Sequence, residues 1–361
     1  MEMARKLKLA IVAFELPSTK ERTGGVSHFN HRLCNMLVEK GHEVTVYSVR
    51  EAVPDAQYEV KLVPGAIGTG RFHRYYKAPW TSKCIDFAPY DLVVSSGDDW
   101  AMKRGSVPWI RIMHGSARRE LQFNKRMLRK LNLSFLYVLE VLSTLRSDIT
   151  LFNSNDTRRL YPNRQLDRIE HLPVDTRVFY PGPKNQQPTL MFVGALDSRK
   201  RGGWLKELFT QQIKPAVPDA KLIMVCNAGE PADGIEYIDM PSQLELAELY
   251  RSSHVFCMPS TYEGFGIPYL EAMASGTLVV TTPNPGAIEV LGNGKYGRLV
   301  NDVELGQALI KALTNLGNHG NETEPALEWA KSHDWSEMIE NYIRYREVVK
   351  PDQLLSNGGK A

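Results

Sequence analysis

Cysteine is scarce in this chain, and long apolar runs are missing. Its 361 residues include 4 cysteines, Cys34, Cys84, Cys226 and Cys257, with no C-x-x-C or Cys/His spacing among them. That excludes a disulfide framework and a zinc ribbon as organising devices. Cys226 and Cys257 lie inside apolar runs and read as small core residues in a reducing, cytoplasmic setting. No stretch approaches the ~20 apolar residues that span a bilayer. Arg5, Lys6 and Lys8 precede LAIVAF, but that run is too short for a signal peptide and leads into ELPSTK without a small-residue cleavage site. It is expected to be a first buried strand. A strand-to-helix G-x-G-x-x-G is also lacking. GNGKYG (292–297) fits the letters, yet it follows helix-like GAIEVL and precedes the short strand-like RLV, so it reads as a turn. This argues against a nicotinamide or flavin enzyme. Asp98 and Asp99 are adjacent rather than spaced as Asp-x-Asp, and no Ser-His-Asp or Cys-His arrangement stands out.

What is present is a repeated alternation. An apolar fraction of 43% and a charged fraction of 24% are ordinary for a globular chain, and the length suits two domains. Strands are expected at 8–14, 42–49, 91–96, 109–115 and 148–154 in the first half. In the second they are expected at 189–195, 221–228, 236–240, 254–260 and 277–283. Between the first two strands, Val26, Phe29, Leu33, Met36 and Leu37 recur at helical spacing and Gly41 closes the helix. Strand, helix, strand in this order predicts parallel sheets with right-handed crossovers. The Pro181-Gly182-Pro183 segment with polar KNQQP reads as a linker. The expected organisation is α/β: two tandem Rossmann-like, doubly wound domains over 1–180 and 181–333, facing a cleft, then a final helix and tail over 334–361. Ligands of such sheets sit at the carboxyl ends of the strands.

Charge is unevenly divided. Residues 1–180 hold 28 Lys and Arg against 19 Asp and Glu, a net of +9, whereas the remainder holds 16 against 22, a net of −6. Arg118, Arg119, Lys125, Arg126, Arg129 and Lys130 cluster in 117–142 ahead of an apolar helix. The plain reading is a solvated helix face; the sharper one is an anionic acceptor or an anionic membrane surface met from the cytoplasmic side. Aromatics do not interleave with these charges as a stacking platform, which argues against nucleic acid.

The most specific stretch is HVFCMPSTYEGFGIPYLEAMASG (254–276). It reads as strand, loop, helix, with Pro268 in the first helical turn and Gly276 near the C-cap. The loop TYEGFG then meets the positive end of a helix dipole, an anion site, and Gly264 and Gly266 leave backbone N–H groups uncovered. Glu271, one turn into the helix, points back toward that end. Carboxylates such as Glu263 and Glu271 suit vicinal hydroxyls.

Glu263-x7-Glu271, followed by ASGTLVVTTPNPGAIEVL, resembles the E-x7-E signature of the GT-B glycosyltransferases of family four. The resemblance implies that Glu263 contacts the donor sugar, that Glu271 holds the nucleotide ribose, and that Gly264, Phe265 and Gly266 line the donor. FVGALDSRKRGG (192–203) is similar to the family's phosphate segment. Lys200 falls on its lysine, whereas Ala195 stands where the family has arginine, leaving Arg199 or Arg201 to supply that charge. TGGVSHFNHRL (23–33) resembles the family's glycine loop through Gly24 and Gly25, and His114 matches a histidine beside the donor sugar. Leu172-Pro173-Val174-Asp175 lacks the family's Asn-Gly, and 334–349 fits its returning helix. The implied activity is metal-independent, retaining transfer from a UDP- or GDP-sugar to an acceptor hydroxyl, with His114, Glu263 and Lys200 catalytic and no cofactor. The acceptor is open: an anionic or membrane-associated glycan or lipid, or a small molecule. An epimerase or a sugar phosphorylase of the same fold, or an inactive nucleotide-sugar-binding partner subunit, are the alternatives.

Overall fold

The computed structural model describes residues 6–19, 23–63, 72–97, 99–103, 105–124 and 126–349; Arg5, Asp98, Lys125 and the SNGGKA tail lie outside the described residues. The chain divides into two compact units. One takes the described residues up to Glu170 together with those from Trp335 on, and the other spans His171–Asp334.

In the first unit the described strands are β1 (Lys8–Val12), β2 (Glu43–Ser48), β3 (Glu59–Leu62), β4 (Leu92–Ser96), β5 (Trp109–Met113), β6 (Ile149–Phe152) and β7 (Arg168–Ile169). They form one parallel sheet in the order β3-β2-β1-β4-β5-β6-β7. Leu9 to Val12 are fully buried, as a central strand covered by helices on both faces must be, hence their unbroken apolar run. The Gly25–Glu39 helix buries Phe29, Leu33, Met36 and Leu37 and ends ahead of Gly41 at φ 92°. The final helix, Trp335–Val349, packs on that helix and on β5. Trp335 meets Phe29 with ring centroids 5.1 Å apart, and Tyr345 donates to Glu170 at 2.9 Å. The returning helix is thus part of the first unit.

One ion pair is buried deep in this unit. Arg111 on β5 is 1% exposed, and its Nε lies 2.9 and 3.1 Å from the two carboxylate oxygens of fully buried Asp99. The hydroxyls of Ser95 and Ser143 also donate to Asp99, and Arg111 Nη1 donates to Thr144 at 3.0 Å. Ser143 and Thr144 belong to the Met127–Arg146 helix. The pair therefore fastens that helix to the sheet.

The second unit repeats the plan with β8 (Thr189–Val193), β9 (Lys221–Val225), β10 (Ile235–Ile238), β11 (Val255–Phe256), β12 (Leu278–Thr281) and β13 (Arg298–Leu299), all parallel in the order β10-β9-β8-β11-β12-β13. Two expectations need correction. The strand foreseen over 254–260 is only Val255–Phe256. Beyond Cys257 the Met258 carbonyl takes Ser260 N at 2.7 Å, Tyr269 Oη at 2.7 Å and Thr281 Oγ1 at 2.8 Å in place of strand partners. The unit boundary falls after Glu170, upstream of the foreseen 180/181. Arg251 explains this, donating to the Val178 and Tyr180 carbonyls at 3.2 and 3.1 Å and lying 3.8 Å over the Tyr180 ring. Val174 N also bonds to the His333 carbonyl at 2.9 Å. The Pro-Gly-Pro segment is thereby strapped to the second unit and is not the boundary between the two.

Removing one partner of a buried ion pair strands the other charge, at a cost of about 3–5 kcal/mol. Arg111→Ala should lower the unfolding free energy by that amount in urea titration. A loss below ~1 kcal/mol would mean that Asp99 is satisfied without Arg111.

Candidate functional site

Strand order reverses between β8 and β11 in the second unit, which opens a crevice at their carboxyl ends. Both strands lead into loops bearing the foreseen residues. After β8 the chain passes through Gly194, where a Cβ would stand 2.3 Å from Lys200 Cδ. Glycine lets Lys200 fold back over the strand end, with Nζ donating to the Val193 carbonyl at 3.2 Å. After β11 comes Glu263, its side chain 7% exposed. Oε1 accepts from Ser260 Oγ at 2.9 Å and Oε2 from Arg199 Nη2 at 2.9 Å. Thr261 N donates to the Arg199 carbonyl at 2.8 Å, so the two loops are tied twice.

The Ile267–Ala274 helix begins at Gly266, whose φ of 101° is a left-handed conformation that glycine adopts freely. A Cβ there would lie 2.6 Å from the Tyr269 ring. No side chain caps this helix, and Pro268 in its first turn has no N–H to satisfy. Its remaining first amides are the anion-binding end of the dipole. Glu271 lies on the same helix. Burial pushes its carboxyl up to about 7, while a hydrogen bond from Tyr250 and the charge of Lys200 act against that rise. Burial lowers the Lys200 ammonium, opposed by Glu263 and Glu271 and assisted by Arg199. Lys200 thus feels the charges of both Glu263 and Glu271.

Other foreseen residues fall differently. Arg201 pairs through both guanidinium nitrogens with Asp302, at 2.8 and 2.9 Å, and lies 3.8 Å over Trp204. Arg199 is therefore the arginine that reaches Glu263, and Ala195 itself is exposed. The Phe265 ring is buried and stacks on His171 at 5.2 Å, so it does not itself line an open surface; Gly264 beside it is half-buried.

Gly24, Gly25 and His114 belong to the first unit. Both glycines are exposed at the start of the Gly25–Glu39 helix, and a Cβ on either would enter open space, so packing within the fold does not require glycine there. His114 follows β5, with Nε2 2.8 Å from Ser96 Oγ and its ring edge-on to Phe29 at 4.8 Å. Burial, helped by the charge of Arg111, lowers its imidazole to about 4. Ser96 Oγ gives its proton to Asn30 Oδ1 at 2.5 Å. A hydroxyl has one proton, so Nε2 carries the imidazole N–H and Nδ1 is left as an acceptor. His114 lines a cavity of about 230 Å³ with Ser96, Ser116, Arg129 and Glu140. Glu140 accepts from Tyr161 Oη at 2.6 Å and from Ala117 N, and burial raises its carboxyl to about 7.

The foreseen residues thus form two groups, one in each unit. Sequence reasoning missed Ser260, Tyr250, Ser96, Glu140 and Tyr161. Ser260, three residues before Glu263, was within reach of local reading; the others are brought in from distant elements. Among the described residues no group of three or more His, Cys, Asp or Glu side chains is arranged to hold a metal ion.

A carboxyl raised by folding binds its proton more tightly in the folded state. Its contribution to stability is full below the unfolded value near 4.5 and is lost as pH rises through about 7. Glu271→Gln should therefore gain stability relative to the native chain across that window, by on the order of 1–3 kcal/mol at its upper end. His114 and His254, both lowered to about 4, act in the opposite sense and cancel in the difference. Denaturant unfolding of both proteins from pH 4 to 8 measures it, and a flat difference would refute the raised carboxyl.

Comparison with known proteins bears on the fold and the family. Residues 23–195 match the profile described as Glycosyltransferase Family 4, and residues 187–318 the one described as Glycosyl transferases group 1. A Thermosipho melanesiensis protein named "Probable sucrose-phosphate synthase" is 27% identical over 239 residues, 59% of this chain, and the match spans only 55% of that relative's length. A phosphatidyl-myo-inositol mannosyltransferase of Mycolicibacterium smegmatis is 25% identical over 377 residues, covering 92% of each chain. Among solved structures, a sucrose-phosphate synthase of Thermosynechococcus elongatus shares the fold with a TM-score of 0.79 at 16% identity, over 96% of this chain and 100% of that one. With a Glycosyltransferase Family 4 match over 23–195 and a Glycosyl transferases group 1 match over 187–318, the chain carries the two domains of a glycosyltransferase and has the GT-B fold.

Proposed function

We propose that the protein moves a sugar from a nucleoside diphosphate sugar, UDP- or GDP-linked, to an acceptor hydroxyl, with retention of anomeric configuration and without a metal ion. The observation that carries this reading is the meeting of Lys200, Glu263 and Glu271 beside the uncapped start of the Ile267–Ala274 helix. A diphosphate needs cationic donors as it leaves, and Lys200 with the helix amides supplies them. Glu263, held by Arg199 and Ser260, presents a fixed carboxylate to sugar hydroxyls. Glu271 takes the ribose hydroxyls, and its high pKa matches a group that gives or accepts such bonds near neutral pH. The bond from the anomeric carbon to the diphosphate oxygen breaks, a bond to the acceptor oxygen forms, and the acceptor's proton passes to the departing diphosphate. His114, neutral and with Nδ1 as an acceptor, takes a hydrogen bond from a sugar hydroxyl, whose proton stays on its own oxygen.

The excess of basic residues in 1–180 supports an anionic or membrane-associated acceptor. The four free cysteines support a cytoplasmic setting. Ala195 in place of the family's arginine favours one rival, a nucleotide-sugar-binding subunit without activity.

Calorimetric titration with UDP, GDP, ADP and dTDP in EDTA, followed by turnover of the matching sugar nucleotides, tests both readings. One nucleotide should bind, and Glu271→Ala should weaken it roughly 10- to 100-fold, the loss of a hydrogen bond to a charged group. Product NMR should show the donor's anomeric configuration kept. No binding to any of the four would refute the donor site; binding without transfer or hydrolysis would favour the inactive subunit. Donor conversion to an epimer, or turnover that requires phosphate, would point to the epimerase or the phosphorylase.

A further inference from the structure

The Met127–Arg146 helix is apolar on two sides. Its inner side, with Leu133, Leu136 and Leu139, packs into the first unit. Its outer side carries Leu128, Leu131, Phe135, Val138, Leu142 and Leu145, all exposed, Leu128 by 84%. Their spacing alternates between three and four residues, so they align in one stripe along the whole helix. No acidic side chain interrupts it, because the helix's glutamate, Glu140, is turned inward to Tyr161 and Ala117 N. A continuous apolar patch of this length on a folded surface marks an interaction site.

Rings widen the stripe. Phe135 stacks on Tyr76 at 6.1 Å, and Tyr76 meets exposed Phe72 at 5.6 Å. At the other end exposed Trp80 lies 6.1 Å from Trp100 with Lys83 Nζ 3.6 Å over its ring, and Arg146 donates to the Trp100 carbonyl at 2.6 Å. Cations flank the apolar residues. Arg118 and Arg126 are exposed and Lys130 is half-buried, and among the described residues neither Arg126 nor Lys130 enters an ion pair.

We propose that this face docks on an anionic bilayer surface, with the helix lying in the headgroup plane. Apolar side chains would enter the acyl boundary while Arg126, Lys130 and Arg146 meet lipid phosphates, and the aromatic rings sit at the interface. No described helix is long and apolar enough to cross a membrane, so the contact is peripheral. A second copy fits the stripe less well. Pairing two such helices in either orientation sets cations against cations, since the helix's own glutamate is turned inward and the flanking Glu120 is already paired with Arg129. Anionic headgroups supply the missing charge. The inner side of the same helix lines the cavity that holds His114 and Glu140.

Flotation of the full chain with vesicles of phosphatidylcholine, alone or mixed with phosphatidylglycerol, tests this without donor or acceptor and so stands apart from the transferase reading. The protein should float only with the anionic vesicles and release in high salt. The double variants Leu131→Glu/Phe135→Glu and Arg126→Glu/Lys130→Glu should each weaken binding about tenfold or more. Thermal melts report whether each variant is folded, and the second pair, outside the inner Leu133, Leu136 and Leu139 side, guards against misfolding of the first. Absence of flotation, flotation unchanged in both variants, or a dimer by light scattering that Leu131→Glu/Phe135→Glu abolishes while vesicle binding is nil would each overturn the proposal.

Discussion

A carboxylate leaves water only if something replaces its hydration, and the second unit is organised by that requirement at Glu263. The side chain is nearly buried, so each oxygen has a fixed donor, Ser260 on one side and Arg199 on the other. Arg199 can reach it only because the loop after β8 lies against the loop after β11. Strand order reverses between those two strands, so the same crevice that invites a ligand also sets the two loops side by side. Lys200 then falls within the field of both Glu263 and Glu271, and burial raises the Glu271 carboxyl to about 7.

The first unit answers the same requirement with a different outcome. There the buried charges, Arg111 and Asp99, are spent on each other and on Ser95, Ser143 and Thr144. The pair holds the Met127–Arg146 helix against the sheet and sends the field of Arg111 toward His114, which burial keeps neutral. One helix is thereby fixed with a polar cavity beneath it and an apolar stripe outside. That placement links the chemistry of the site to the surface on which the protein is proposed to work.

Legibility followed burial. Leu9–Val12 and Leu190–Phe192 are strands covered on both faces, so an apolar run announced them. The edge strands Glu59–Leu62 and Arg168–Ile169 carry few buried side chains and gave no such signal. The strand foreseen over 254–260 was too long because apolar residues there are buried by a turn. Pro-Gly-Pro looked like a boundary, but a linker's composition says nothing of which unit it packs on, and Arg251, far along the chain, decided that.

The chain's own order of residues determined the alternation of strands and helices, the glycine-started helix after β11, and the spacing that put Glu263, Glu271 and Lys200 forward. These are local matters: periodicity, backbone freedom at Gly266, and charge near a helix start. Only the tertiary structure decided that Arg199 and not Arg201 reaches Glu263, that Tyr250 attends Glu271, and that Ser96 sets the tautomer of His114. The physical reason is that hydrogen bonds and desolvation act through space. Residues dozens of positions apart become partners only when parallel strands bring their ends together, and no spacing along the chain records that meeting.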